Sequence, residues 1–562
     1  MVKRTVTKIF KIFDREIKGV HQAALLLGFM GILTKFLALL RDKILAAQFG
    51  AGRELDIYFA SFRIPDFIFT MTLFITASAS LIPFFLKEVE KGEEKARVFL
   101  GRIYTIFLVF IFVILVITFF LTPHILKFLT PGFNESEIQT MLILTRIMLL
   151  SPLLLGLSNV SSIVIQSFQK FFIYALSPLL YNAGIILGVA VLYPRFGVKG
   201  LAYGVAAGAA FHFLAQIPSV FKLKYLPKFS LKIFTPEIKK SFFIGFFRTL
   251  GLALNQIVFI ILTGFASVFP AGSITVFNFS NNLQSIPLTV VGLSYSVAVF
   301  PVLSRHIFLN RKEDFLEAIS SAARHIIFWT IPISVIFIVL RAQIVRVVLG
   351  AGVFGWTETR LTAAALAIFS VSITAQCLIL LFSRAFYAAE KTKTPLLINI
   401  VSSFCIIAAA FILFFVLNGS NIISDFFSRI MRVYGYNLHI LSLPIAYSIG
   451  SLINGFLLWK FFKRNFGQID GQFKKSLGEN LIAGIILGLI SYLCLRIFVF
   501  VFNINTFFGI FFQGFFAVLI GCLAHFFVLK FFKNKELKEI TSSLKTKFWK
   551  TPVISENDER IN

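Results

Sequence analysis

The chain has 562 residues, 57% of them hydrophobic and only 14% charged, with 72 Phe and a mean hydropathy of +0.87; this balance excludes a soluble globular protein and marks an integral membrane protein. Its 54 Lys and Arg against 26 Asp and Glu give a formal net charge of +28. In so apolar a chain that excess belongs in loops beside anionic lipid headgroups, and not to nucleic-acid binding.

The first 21 residues, including MVKRTVTKIFKIFDREIKG, form a basic segment. The first apolar span after it, 22–48, lacks a small-residue cleavage site and continues into charged helix, so that span does not read as a removable signal. Apolar runs of about 20 residues, the length that crosses a bilayer as helix, then recur to near the end of the chain. About fourteen are predicted, an all-α architecture: 22–48, 56–87, 99–121, 139–167, 171–193, 199–221, 239–267, 273–304, 317–340, 359–388, 395–417, 440–462, 477–501 and 505–532. Spans one to six make an N-lobe over 22–221, and a basic linker over 222–238 leads to a C-lobe of spans seven to twelve over 239–462. A basic loop over 463–476, a final helix pair over 477–532 and a tail over 533–562 complete the chain. Cationic short segments stay on the cytoplasmic side, so the basic amino-terminal segment, linker and loop place both termini in the cytoplasm. The four cysteines, Cys377, Cys405, Cys494 and Cys522, sit in apolar runs without metal-ligand spacing, which indicates neither a disulfide framework nor a metal site.

The two lobes read as copies of one another. ITASASLIPFF resembles YSVAVFPVLSR, aligning Pro83 with Pro301, and YALSPLL resembles KTKTPLL, aligning Pro178 with Pro395. The two offsets agree at about 217 residues. Two six-helix bundles in the same orientation form a parallel repeat, an arrangement suited to halves that rock about a central cavity.

Charge inside the spans is the main functional signal, because a charged residue at mid-membrane costs about 2.5 kcal/mol or more unless it faces a polar cavity or reaches the surface. Lys35, Arg41, Arg63, Arg146, Arg248 and Arg384 fall within or near the ends of spans. Lys35 and Arg41 are six residues apart, about 240° around a helix, which suits two walls of one cavity. Arg41 also has carboxylates for an interhelical ion pair at Asp56 or Asp66, while Arg63, Arg146 and Arg384 also fit snorkelling or helix pairing. Arg248 lies about ten residues into its span, in FFIGFFRTLGLALNQ, where no acid neutralises it. A cationic cavity favours an anionic substrate such as a phosphate. The seven His are dispersed and no phosphate-cradling Gly-Lys-Ser/Thr motif occurs, so the reading is a transporter without a cofactor and not an enzyme. Spans seven and eleven contain no carboxylate, so the sequence does not support an ion-coupling site there.

The order LLRDKILAAQFGAG, LDIYFASFRIPDF, SIPLTVVGLSYSVAVFPVLSR and SRAFYAAEKTKTP resembles the MurJ (MviN) family of lipid II flippases, within the superfamily of drug and oligosaccharide-lipid exporters. The similarity runs from about Gly28 to Phe532. The resemblance implies two six-helix lobes plus a final pair that holds a lipid tail, and alternating-access export of an undecaprenyl-pyrophosphate-linked peptidoglycan precursor for cell-wall synthesis. It also implies a monomer in the bacterial inner membrane, with cell-wall synthesis proteins as partners. The family's substrate-binding positions fall on Thr34, Lys35, Arg41, Asp42 and Asp56, and its eighth-helix Asp-Arg on Asn281-Asn282. The second-helix Arg and Glu-Gly-Ala of the family read here as Phe69 and Phe74-Ile75-Thr76. Arg248, without a counterpart, then stands in for one missing cation. These departures leave open a flippase for another polyprenyl-pyrophosphate-linked glycan, such as an O-antigen or capsule unit, and a membrane scaffold without transport.

Overall fold

A computed structural model of the chain describes residues 20–76, 78–225, 227–228, 236–417, 422–431, 438–469 and 471–549, and among these there is no strand. Helix satisfies every backbone group within its own segment, which a bilayer interior requires. The helices used below are α1 (Val20–Phe49), α2 (Arg53–Ser61), α3 (Arg63–Thr76), α4 (Ser78–Glu90), α5 (Glu93–Leu129), α6 (Glu135–Met148), α7 (Leu150–Ser167), α8 (Phe171–Leu187), α9 (Val198–Leu214) and α10 (Pro236–Val268). They continue with α11 (Ser273–Pro287), α12 (Ser294–Phe308), α13 (Lys312–Val339), α14 (Trp356–Ser370), α15 (Ile373–Ala388), α16 (Lys393–Val416), α17 (Ser442–Phe466), α18 (Gly471–Phe498), α19 (Phe507–Phe531) and α20 (Lys535–Trp549).

Twelve described segments are long and apolar enough to cross a membrane, or thirteen with α14 and α15, bent by 45°, taken as one span. Adding α1, a 30-residue helix that carries Lys35, Arg41, Asp42 and Lys43, gives the fourteen expected. Several expected spans are built from more than one helix. The run 56–87 is α2, α3 and α4: Pro65 in the first turn of α3 has no N–H to give, and the carbonyl of Ser61 instead accepts from Thr145 Oγ1 at 3.5 Å. Likewise 139–167 breaks at Leu149, just before Pro152 in the first turn of α7. The run that starts at Ser273 reaches Phe308 through a π turn, Leu288–Leu293, directly after Pro287. The basic amino-terminal residues 1–19 and linker residues 226 and 229–235 lie outside the described residues.

The chain divides into two compact units: Met1–Ile286 with Val345–Phe369 and Lys391–Asn454, and Pro287–Ile344 with Ser370–Glu390 and Gly455–Asn562. In the first, α1 packs along α8, α3 along α10, and α8 along α9. The α8–α9 seam is made of glycine. A Cβ on Gly184 would stand 2.2 Å from the Cα of Gly208, and one on Gly204 would stand 2.4 Å from the Cα of Gly188, so the backbones meet as small-residue stripes allow in membranes.

In the second unit, α13 packs against α12, α15 and α18, and α18 forms a hairpin with α19. Gly484 and Gly488 on α18 face Ile331 and Val335 on α13. The tail helix α20 folds back onto this group. Its Glu536, 1% exposed, pairs with Arg324 of α13, 5% exposed, at 2.8 Å and accepts from Ser476 Oγ at 3.1 Å.

Candidate functional site

The cation of α1 is neutralised by its own neighbour. Arg41 Nε and Nη2 both donate to Asp42 Oδ1, at 2.9 and 2.7 Å, and Nη1 donates to Asn182 Oδ1 on α8 at 3.2 Å. The other oxygen of Asp42, a residue only 2% exposed, accepts from Asn282 Nδ2 on α11 at 3.0 Å. The Arg41 ion pair is therefore with Asp42, not with Asp56 or Asp66, and it ties α1 to α8 and α11. Thr34 spends its hydroxyl on the carbonyl of Met30, at 2.8 Å. Lys35 is half-buried on the same helix and does not reach the cavity described below.

Asp56 is fully buried and does a different task. Its Oδ2 accepts from the Gly272 N–H at 2.6 Å, and its Oδ1 accepts from the N–H and hydroxyl of Thr275, each at 2.8 Å. These are orphan donors at the start of α11, so Asp56 caps that helix from α2. Gly272 adopts φ +92, and a Cβ there would lie 2.1 Å from the Ala51 carbonyl oxygen; only glycine serves at this crossing. The α1–α2 turn is also held by the 350–354 loop: the Val353 N–H donates to the Ala47 carbonyl at 3.0 Å, and Lys43 Nζ donates to the Val347 carbonyl at 3.0 Å. One end of the first unit is thus closed by backbone packing.

Inward from that end lies a cavity of about 340 Å³. Its walls carry Arg41 from α1, Tyr58 from α2, Arg63 and Asp66 from α3, and Tyr181 from α8. Gln256 and Phe259 come from α10, and Asn278, Asn281 and Asn282 from α11. Arg63, 7% exposed, is held only by neutral groups: Nε donates to Thr263 Oγ1 and Nη2 to Asn278 Oδ1, both at 2.8 Å, and its guanidinium lies 5.5 Å from the Phe259 ring centroid. One turn on, the Asp66 carboxylate faces the cavity and accepts no hydrogen bond among the described residues. With Asp42 directly behind Arg41, the described charges of the site are two guanidiniums and two carboxylates. Among the described residues the site is charge-balanced, where the sequence suggests a cationic one.

Of the residues singled out from sequence, Arg41, Asn281 and Asn282 meet in this cavity with Asp42 behind them, whereas Thr34, Lys35 and Asp56 stand apart from it. The backbone of Arg248 belongs to α10, but its side chain lies outside the described residues. Arg146 stacks over Phe119 at 4.3 Å and Arg384 over Phe300 at 5.8 Å, contacts that hold structure. Sequence reasoning set Arg63 beside snorkelling residues and passed over Tyr58, Tyr181, Gln256 and Asn278. Two signals were available. Arg63 and Asp66 share a helix face at i, i+3, and Asn278, Asn281 and Asn282 form a polar stripe at i, i+3, i+4.

The fold is similar to that of a solved structure described as lipid II flippase MurJ in an inward closed conformation, with a TM-score of 0.71 at 22% identity over 90% of this chain and 98% of that one. It is also similar to an inward-facing transporter of the multidrug resistance MATE family, with a TM-score of 0.64 at 16% identity over 78% and 96% of the two chains. The sequence profile described as lipid II flippase MurJ matches residues 45–513. The chain belongs to the MurJ family. Curated MurJ relatives include probable lipid II flippases of Buchnera aphidicola from Schizaphis graminum, 27% identical over 78% of this chain and 82% of the relative, and from Acyrthosiphon pisum, 28% identical over 65% and 73%. The probable MurJ of Aquifex aeolicus is 25% identical over 67% and 74%. Membership of the MurJ family makes the chain a multi-pass bacterial inner-membrane transporter. The matched region takes in Arg63, Asp66 and the α11 amides and begins just after Arg41 and Asp42.

Proposed function

We propose that this chain moves lipid II, or a closely related polyprenyl-pyrophosphate-linked precursor, across the inner membrane by alternating access. The observation that carries the reading is the buried Arg63, whose hydrogen bonds go only to neutral oxygens of α10 and α11, in a chain whose family match spans 45–513. A guanidinium held by neutral acceptors keeps its full charge for an incoming phosphate, and its planar fork suits two phosphate oxygens. The surrounding amides of Gln256, Asn278 and Asn281 offer both donors and acceptors, the chemistry sugar hydroxyls need.

A volume of about 340 Å³ lies at the low end for small-ligand sites and suits a pyrophosphate with part of a sugar, so cargo entry requires the walls to part. The lipid tail would lie along α18 and α19, which are apolar and glycine-bearing. Basic residues at the amino-terminal end and in the 463–476 loop support cytoplasmic termini, and the protein works as a monomer without a cofactor. Asn281-Asn282, standing where the family carries Asp-Arg, favours a second reading in which the glycan differs from that of lipid II. Expression in cells depleted of their own lipid II flippase tests the first reading: growth is expected to be restored, and a membrane-inserted protein that leaves the cells to lyse would refute it.

A further inference from the structure

Building on the reading of this cavity as the anion-holding part of a transporter, we propose that Asp66 is a proton acceptor that switches the cavity from charge-balanced to anion-receptive, so that a proton enters with the pyrophosphate cargo. Three observations carry it. Asp66 faces the cavity and its carboxylate has no hydrogen-bond donor among the described residues, whereas Asp42 uses both oxygens and Asp56 accepts three bonds. Arg41 is already matched by Asp42, which leaves Asp66 as the counter-charge to Arg63 one turn away. No ion pair within 4.0 Å joins Arg63 and Asp66 among the described residues, so protonating Asp66 breaks no ion pair and leaves the Arg63 bonds to Thr263 and Asn278 in place.

The titratable groups around Asp66 are Arg63 on its own helix, Arg41 with Asp42 from α1, Tyr58 from α2 and Tyr181 from α8. Lys35 on α1 stands outside the lining, α11 presents amides, and α10 presents an amide and a ring, the Arg248 side chain lying outside the described residues. An ionised carboxylate about 5 Å from a phosphate weakens its binding on the order of a hundredfold at the effective dielectric of such sites. Neutralising Asp66 removes that repulsion and leaves Arg63 as the uncompensated cation. A metal cation would answer the carboxylate only by sitting between two guanidiniums and gathering several oxygen ligands. A proton needs one oxygen. It passes from water at the cavity mouth to an Asp66 Oδ atom as cargo binds and returns to water when cargo leaves, with no other bond made or broken.

The test uses the full chain in lipid nanodiscs with geranylgeranyl pyrophosphate as probe, measuring affinity from about pH 5.5 to about pH 8.5, on either side of neutrality, and proton uptake in weak buffer. Asp66→Asn is expected to bind more tightly than the unaltered protein at high pH, the ratio closing by up to about tenfold per pH unit as pH falls. The ratio cancels the ionisation of the probe itself. Binding should take up about one proton more in the unaltered protein than in Asp66→Asn or, as a second variant, Asp66→Ser. Equal pH profiles and equal uptake would overturn the role of Asp66 while leaving the anion site in place. Arg63→Gln separates the two ideas: if it binds the probe as tightly as the unaltered protein, the anion-site reading itself fails.

Discussion

Arg41 and Asp42 are adjacent residues whose charges cancel inside the membrane, and removing one leaves the other buried and alone, a loss of about 3–5 kcal/mol. Arg41→Gln should therefore lower thermal stability in detergent, and Arg41→Gln with Asp42→Asn should recover most of that loss; a double variant as unstable as the single one would deny the pairing. Arg63 behaves differently because its partners are neutral. Arg63→Gln should keep the fold and abolish rescue of depleted cells, while Lys35→Gln, altering a residue outside the cavity, should still rescue them; the reverse pattern would move the site to the start of α1. The Arg41–Asp42 pair was only half legible in the sequence: the two stand side by side, but adjacent helical residues do not face each other by default. The acids expected to pair with Arg41 were Asp56 and Asp66, and the Asn182 and Asn282 contacts that fix the pair come from other helices. Arg63 was not legible, because its value depends on Thr263 and Asn278, some two hundred residues away, and a span-edge arginine looks the same whether it turns to headgroups or to a cavity. Asp56 was legible as important but not as a cap, since its partners Gly272 and Thr275 belong to another helix.

At the scale of elements, hydropathy marked where helices run and proline marked where they break. The expected spans 56–87 and 139–167 concealed breaks before Pro65 and Pro152 that the apolar pattern passes over. The glycines of α8 and α9 carry a sharper consequence. Gly208→Val would force its side chain into the Tyr181 carbonyl, which a Cβ alone would already approach to 2.4 Å. The expected outcome is loss of folded protein in the membrane fraction on size-exclusion profiles, and a normal profile would show the seam to be looser than described. The tail helix α20 depends on its own buried pair. Glu536→Ala should destabilise the chain by about 3 kcal/mol or more by leaving Arg324 uncompensated, measured as a fall in Tm, whereas Glu539→Ala, on the half-exposed face, should cost far less.

For the whole molecule, the composition fixed the solvent and the span count fixed the architecture, while the closed end around Gly272, Ala47 and Val353 emerges only from the packed chain. If cargo crosses by alternating access, that end must open. Cysteines at Ala47 and Val353, whose backbones are hydrogen-bonded at 3.0 Å, should cross-link on oxidation and halt transport reversibly, with reduction restoring it; full activity of the cross-linked protein would mean that this end does not gate the path. The central claim, that this chain carries lipid II through a cavity organised by Arg63, is tested most directly by reconstituting the purified protein in vesicles with lipid II and following the fraction exposed on the outer leaflet over time. The account predicts transfer well above that in protein-free vesicles for the unaltered chain and transfer at the protein-free rate for Arg63→Gln. Folded, correctly inserted protein that moves lipid II no faster than bare vesicles, or an Arg63→Gln variant that moves it just as fast as the unaltered chain, would contradict it.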